Sequence, residues 1–214
     1  MKVFTLVMSC LFCYVRNAGY AQTPIFFKFA QDVILFSEPS CTRWLDSPAI
    51  ACFGSGTQEE KLFQYAVAQI NEALAPSRIQ LRVVLPEDTS ATIKLFFAKR
   101  TAMPAIIRKE SMQTTAGAYT WNFWRGKKNE LTKTVGIVST ELEPKALQHA
   151  VFRVILGCMG FYGDAKNPKD SIFVGWDSVE LSPLDKRLVA FQYEHVMPGF
   201  RLPELRKALQ TYAK

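Results

Sequence analysis

Between Pro144 and Leu156 the chain carries large apolar side chains on opposite faces of one helix, and this constrains the fold more than any other feature. Leu147, Ala150, Val151, Val154, Ile155 and Cys158 fall on one face at the 3.6-residue period. Phe152 and Leu156 fall on the other face, beside His149 and Arg153. A surface helix needs only one apolar stripe; a helix apolar on both sides must be covered on both, so this one is central. Pro144 suits its first turn, where a missing N–H costs nothing, and Gly157 and Gly160 end it.

The other elements are arranged around that helix. Ile25 to Phe29 and Asp32 to Ser37 are rich in β-forming residues and are expected to form the first strands. Thr57 with Glu60 has the capping-box spacing and opens a helix whose apolar positions are Phe63, Val67, Ile70 and Leu74; Pro76 stops it. Ile79 to Leu85 and Thr92 to Ala98 are the next strands, turned by Pro86-Glu87-Asp88. Ala118 to Trp124 and Lys133 to Ser139 make a further pair around the basic tip Arg125-Gly126-Lys127-Lys128. A loop from Tyr162 to Asp177 precedes a second capping box at Ser182 and Asp185, with Pro183 in the first turn and Pro198-Gly199 as terminator. A last helix covers Pro203 to Tyr212. The order gives an α+β fold with a small mixed sheet on a central helix and a helical C-terminal part.

The N-terminus reads as a secretory signal: Lys2, then the apolar run Val3 to Val15, then Gly19-Tyr20-Ala21 with small residues for cleavage. A spanning helix needs roughly 20 apolar residues, and Arg16 and Asn17 break this run first. Val7-Met8-Ser9-Cys10 is similar to a lipoprotein cleavage box, but cutting there leaves too short an apolar run. Residues 1–21 are therefore expected to be removed and residues 22–214 to form one globular domain, exported to a periplasmic or secreted location with no transmembrane helix in the mature chain. Losing Lys2 and Arg16 takes the 26 basic side chains to 24 against 19 acidic ones, a net charge near +5. The only tight basic cluster is the tip at residues 125–128, so no nucleic-acid stripe is present. Trp121, Trp124, Arg125, Lys127 and Lys128 are a possible contact surface, because exposed aromatics beside charge often mark one.

Of the five cysteines, Cys10 and Cys13 leave with the signal. Cys41 and Cys52 flank a turn-rich loop and are expected to pair in an oxidising compartment, while Cys158 sits in an apolar run as an inert thiol. Only two histidines exist, His149 and His195, and they are the candidates for metal. A catalytic zinc helix places two histidines four residues apart with a glutamate beside the first. Here the window is His149-Ala150-Val151-Phe152-Arg153, with alanine at the glutamate position and a permanently protonated arginine at the second ligand. No Gly-x-Ser-x-Gly elbow or glycine-rich phosphate loop occurs, and Asp164, Asp170 and Asp177 do not follow a calcium-loop register. No catalytic residue, metal or cofactor is expected.

Leu156-Gly157, Asp170-Ser171-Ile172-Phe173, Leu181-Ser182-Pro183-Leu184-Asp185-Lys186-Arg187, Tyr193 and Met197-Pro198-Gly199-Phe200 together resemble a family of exported proteobacterial proteins of unknown function, some described as lipoproteins, that look like zincin metallopeptidases. The match runs from Pro144 to Phe200. It implies a zincin-like scaffold. Anchored on Gly157, the family's polar residues fall on Ala150, Val151 and Val154; anchored on His149, the glutamate and second ligand fall on Ala150 and Arg153. Either alignment implies a scaffold kept for something other than peptide hydrolysis. The leading expectation is a non-catalytic exported binding or assembly protein whose partner is a protein or an envelope component. The alternatives are a hydrolase joining His149 and His195 with Asp164 or Asp170, and adhesion to anionic envelope polymers through the basic tip.

Overall fold

The computed structural model describes residues 24–35, 40–112, 118–125 and 129–212. In chain order the elements are α1 (Pro24–Ile34), β1 (Ala49–Phe53), α2 (Thr57–Leu74), β2 (Arg82–Val84), β3 (Ile93–Ala98), α3 (Met103–Lys109), β4 (Ala118–Arg125), β5 (Glu130–Ser139), α4 (Pro144–Cys158), α5 (Pro183–His195) and α6 (Leu202–Tyr212). The five strands lie in the order β2-β1-β3-β5-β4. Four are parallel, with Ile50 opposite Val83 and Ile93, and Ile93 opposite Thr134. β4 closes one edge antiparallel to β5, with a bulge between Phe123 and Trp124.

α4 is central, as its two apolar faces require. Leu147, Ala150, Val151, Phe152, Val154, Ile155, Leu156 and Cys158 are all buried. One face lies on the sheet at close range: a Cβ on Gly136 of β5 would come within 2.4 Å of Val154 Cγ1, so only glycine lets the helix sit this near. Thr120 Oγ1 and Asn122 Nδ2 of β4 donate to the carbonyls of Val154 and Gly157 at 3.1 and 3.2 Å, tying the helix end to the edge strand. The other face meets α2, where Phe152 packs edge-on against Tyr65 with centroids 5.9 Å apart. Phe26, Phe29, Phe63, Phe152, Phe161, Phe173 and Phe191 are fully buried in the same cluster. At roughly 1.5–3 kcal/mol per buried side chain, these rings hold α1, α2, α4, α5 and the 161–173 loop in one core. This is the α+β arrangement expected: a small mixed sheet on a central helix, followed by a helical C-terminal part.

Several local expectations are corrected. The two strands expected over Ile25–Phe29 and Asp32–Ser37 are replaced by α1; residues 36–39 lie outside the described residues. Phe26, Phe29, Ala30, Val33 and Ile34 recur at helical spacing and are the residues that α1 buries. The cap of α2 is Gly56 rather than Thr57, and the Glu59 carboxylate accepts from the Gly56 N–H at 3.0 Å. β2 shrinks to three residues because Ile79 and Leu81 turn inward before pairing begins. β1 and α3 were not anticipated. Glu110, just after α3, pairs with Lys94 and Lys133 at 3.4 and 3.0 Å and fastens that helix to the sheet. Burial alone would push the Glu110 carboxyl up, but the two lysines outweigh it and hold it below the ordinary value.

The expected Cys41–Cys52 disulfide is absent: Cys41, Cys52 and Cys158 are free and buried. Eleven positions apart in sequence, Cys41 and Cys52 are drawn to different neighbours. Cys41 exchanges backbone hydrogen bonds with Gly199 and Phe200, at 2.8 and 2.7 Å, whereas Cys52 sits in β1 opposite Leu95. Burial pushes both thiols up to about 12, so neither offers a thiolate near neutral pH.

Residues 41–44 act as a clasp across the molecule. Thr42 Oγ1 donates to Tyr162 Oη, the Thr42 carbonyl accepts from Gln192, Trp44 donates to the Cys158 carbonyl, and Leu131 N–H donates to the Arg43 carbonyl. The Arg43 guanidinium reaches the last carbonyls of α5.

Candidate functional site

The position where a zinc helix would carry its ligands is occupied by structural contacts. His149 projects from α4 with 2% exposure, and its Nδ1 lies 2.7 Å from the Ser178 carbonyl. A carbonyl only accepts, so Nδ1 carries the proton and donates. The ring is covered by Trp176, centroids 4.7 Å apart, whose own indole is 58% exposed. One turn on, Arg153 donates through Nη2 to Asp164 at 2.8 Å and to the Gly163 carbonyl at 3.2 Å, and its guanidinium lies over the Phe173 ring at 4.9 Å. The two residues thus pin both ends of the 163–178 loop onto α4.

The loop's far side is held by Asp185. The expected capping box is formed: Asp185 N–H donates to Ser182 Oγ at 3.2 Å and the carboxylate accepts from Ser182 N–H at 2.9 Å. The fully buried carboxylate also accepts from Ile172 N–H at 2.9 Å and from the Ser171 hydroxyl. Burial pushes this carboxyl above its ordinary value, and the three donors pull it back only in part. Two segments recognised in the sequence, 170–173 and 181–187, therefore meet at one carboxylate.

Zinc does not fit the donors present. Ala150 offers no donor, Arg153 is a cation already paired, and no group of three histidine, cysteine, aspartate or glutamate side chains gathers among the described residues. His195, the other candidate, packs on Phe191 and Tyr212, with centroids 5.8 and 4.9 Å away, at the end of α5. The structure does not bring it to His149, whose neighbours are Trp176 and Ser178. Asp164 goes to Arg153 and Asp177 to Lys145, so the loop carboxylates do not converge. Of the expected contact surface, Trp121, Trp124 and Arg125 lie in β4, and Lys127 and Lys128 fall outside the described residues.

Burial is the largest influence on His149 and pushes its pKa below the ordinary 6.5, with Arg153 adding to the shift; the Ser178 hydrogen bond, Asp164 and Asp177 oppose it. A base depressed in the folded state contributes stability that is present above the unfolded pKa and lost as pH falls through the folded one. Stability should therefore drop on acidification below 6.5. Urea midpoints compared between about pH 7.5 and about pH 5 should fall for the native chain and less for His149→Gln, which keeps a donor for Ser178. Equal slopes in both proteins would show that His149 does not titrate with unfolding.

A second feature is a cleft of about 740 Å3 at the opposite sheet edge, lined by Cys52, Ser55, Glu60, Phe63, Gln64 and residues 83–88. It brings together the end of β1, the first turns of α2, Val83 and Val84 of β2 and the turn that follows them. No single stretch of sequence announces it. Val83 and Leu85 on its wall are 44% and 73% exposed. Glu60 is held by Ser55 Oγ at 3.0 Å and by Gln64 Nε2 at 2.8 Å.

No protein-family model matches the chain, and no curated protein matches it. Among solved structures it is similar to myroilysin: one crystal structure gives a TM-score of 0.45 at 12% identity over 72% of this chain and 86% of that chain. A second structure of myroilysin gives 0.44 at 14% identity over 76% of this chain and 98% of that one. Likeness at this level carries no argument about activity.

Proposed function

We propose that this chain is a non-catalytic binding or assembly protein on a zincin-like α+β scaffold, acting outside the cytoplasm on a protein or an envelope component. The observation that carries the reading is the α4 face: His149 spends its Nδ1 proton on Ser178, and Arg153, at the second ligand position, is locked to Asp164. Both side chains serve to seat a loop. Export is supported by the N-terminal pattern of Lys2, Val3 to Val15 and Gly19-Tyr20-Ala21, which lies outside the described residues. No helix among the described residues is long and apolar enough to cross a membrane.

Elemental analysis of the purified mature protein tests the reading. Zinc well below one equivalent is expected both for the native chain and for His149→Ala. One equivalent in the native chain, lost in the variant, would overturn it in favour of a hydrolase centred on His149.

A further inference from the structure

We infer that the β2 edge and its cleft form a docking site for an extended peptide whose apolar side chains alternate with lysine or arginine, received as a sixth strand of the sheet. This names a partner class for the binding role proposed above, but it lies at the β2 edge of the sheet, the edge away from β4 and the end of α4, and needs nothing from His149.

Three observations converge on that occupant. The first is an open ladder. β2 pairs only with β1, and Arg82 N–H donates inward to the Pro48 carbonyl at 3.0 Å. Successive N–H groups of a strand point to opposite sides, so the N–H and carbonyl of Val83 face outward, where no backbone partner meets them among the described residues. The second is exposed apolar surface on a short edge. Arg82 and Pro86 flank this edge, yet Val83 and Leu85 between them remain uncovered beside the fully buried ring of Phe63, which also lines the cleft.

The third is charge. Glu60, Glu87 and Asp88 line the cleft and no lysine or arginine does, in a protein whose formal net charge is +7. Arg82, on the same strand, acts on Asp88, which leaves Glu60 and Glu87 to meet an incoming cation. Main-chain bonds would supply affinity, the apolar wall would take alternate side chains, and the carboxylates would select the basic ones.

The test is a titration of isotope-labelled mature protein with an acetylated, amidated hexapeptide alternating lysine and valine, followed by amide NMR. Shifts are expected at residues 82–88 and 60–64. Val83→Pro removes the outward donor and leaves the β1 ladder intact, and it should weaken binding at least about tenfold. Glu87→Lys should weaken it at least about threefold, and added salt should weaken it further. If Val83→Pro disturbs the fold, the same peptide N-methylated at alternate residues reads the same bond on native protein and should lose binding to a similar degree.

The inference is overturned if the shifts miss residues 82–88, or if neither Val83→Pro nor N-methylation changes affinity. It is also overturned if the same shifts appear on concentrating the protein alone, which would make a second copy the occupant. A failed titration with no zinc bound leaves the non-catalytic reading in place, whereas bound zinc with a successful titration removes that reading and leaves the edge site.

Discussion

Arg43→Ala is expected to destabilise the protein by about 3–5 kcal/mol, because it strips a charged donor from several buried carbonyls at about 1–3 kcal/mol each. Arg43 is 7% exposed and, among the described residues, forms no ion pair with a carboxylate. Its Nη1 donates to the carbonyls of Gln192, Tyr193 and Val196 at 3.1, 3.0 and 2.7 Å, and its Nε donates to the Trp44 carbonyl at 3.1 Å. A helix end leaves its last carbonyls without partners and with partial negative charge, so a guanidinium is the complementary cap. The Tyr193 ring lies 5.1 Å from the same cation. Alanine would remove this donor from the Trp44, Tyr193 and Val196 carbonyls, at about 1–3 kcal/mol for each one that water does not reach, while the Gln192 carbonyl keeps the Val196 N–H. Arg43→Lys should fall between the two, since one ammonium keeps the charge but cannot reproduce the fork. The urea midpoint at fixed pH measures all three; a loss under about 1 kcal/mol for alanine would show that the guanidinium is not the anchor.

The second large effect is expected at Gly160, which follows α4. Its φ is +96°, and a Cβ there would sit 2.3 Å from the Thr42 carbonyl oxygen and 3.1 Å from its carbon. Gly160→Ala therefore adds backbone strain of about 1–3 kcal/mol to an overpacking cost of about 1–3 kcal/mol. Gly175 separates the two terms: its φ is +61° but nothing lies within 4 Å of a Cβ, so Gly175→Ala should cost only about 1–2 kcal/mol. Thermal unfolding of both variants reads the difference. Equal losses would mean that Thr42 yields without cost. Because Gly160 presses on the residue before Arg43, the double variant should lose less than the sum of the two single ones.

How much of this was legible in the sequence depended on whether the signal was local. α4 and α5 were readable because periodicity and caps are contained within the element itself, and Ser182 with Asp185 does form its box. α1 was misread because Ile25, Phe26, Phe27 and Phe29 favour strands by residue type, while the burial that decides the matter follows helical spacing. β1 was missed because Ala49-Ile50-Ala51-Cys52-Phe53 becomes a strand only through parallel neighbours on both sides, which lie more than thirty positions away in sequence. The disulfide failed for the same reason: closeness in sequence did not make Cys41 and Cys52 neighbours in space. At the candidate site, the sequence showed what is missing at Ala150 and Arg153. It could not show what fills the space, since Ser178, Trp176 and Asp164 arrive from a loop without a motif.

The clasp at residues 41–44 also sets the order in which the chain can finish folding. Arg43 waits for partners 149 to 153 positions downstream, and Cys41 for Gly199 and Phe200. Local helices and the α2–β2 crossover form before this closure; the clasp cannot. Such distant pairings lose chain entropy before any contact rewards them, which places the step late and makes it slow. A growing chain therefore keeps residues 41–44 unclasped until nearly the whole length has been synthesised.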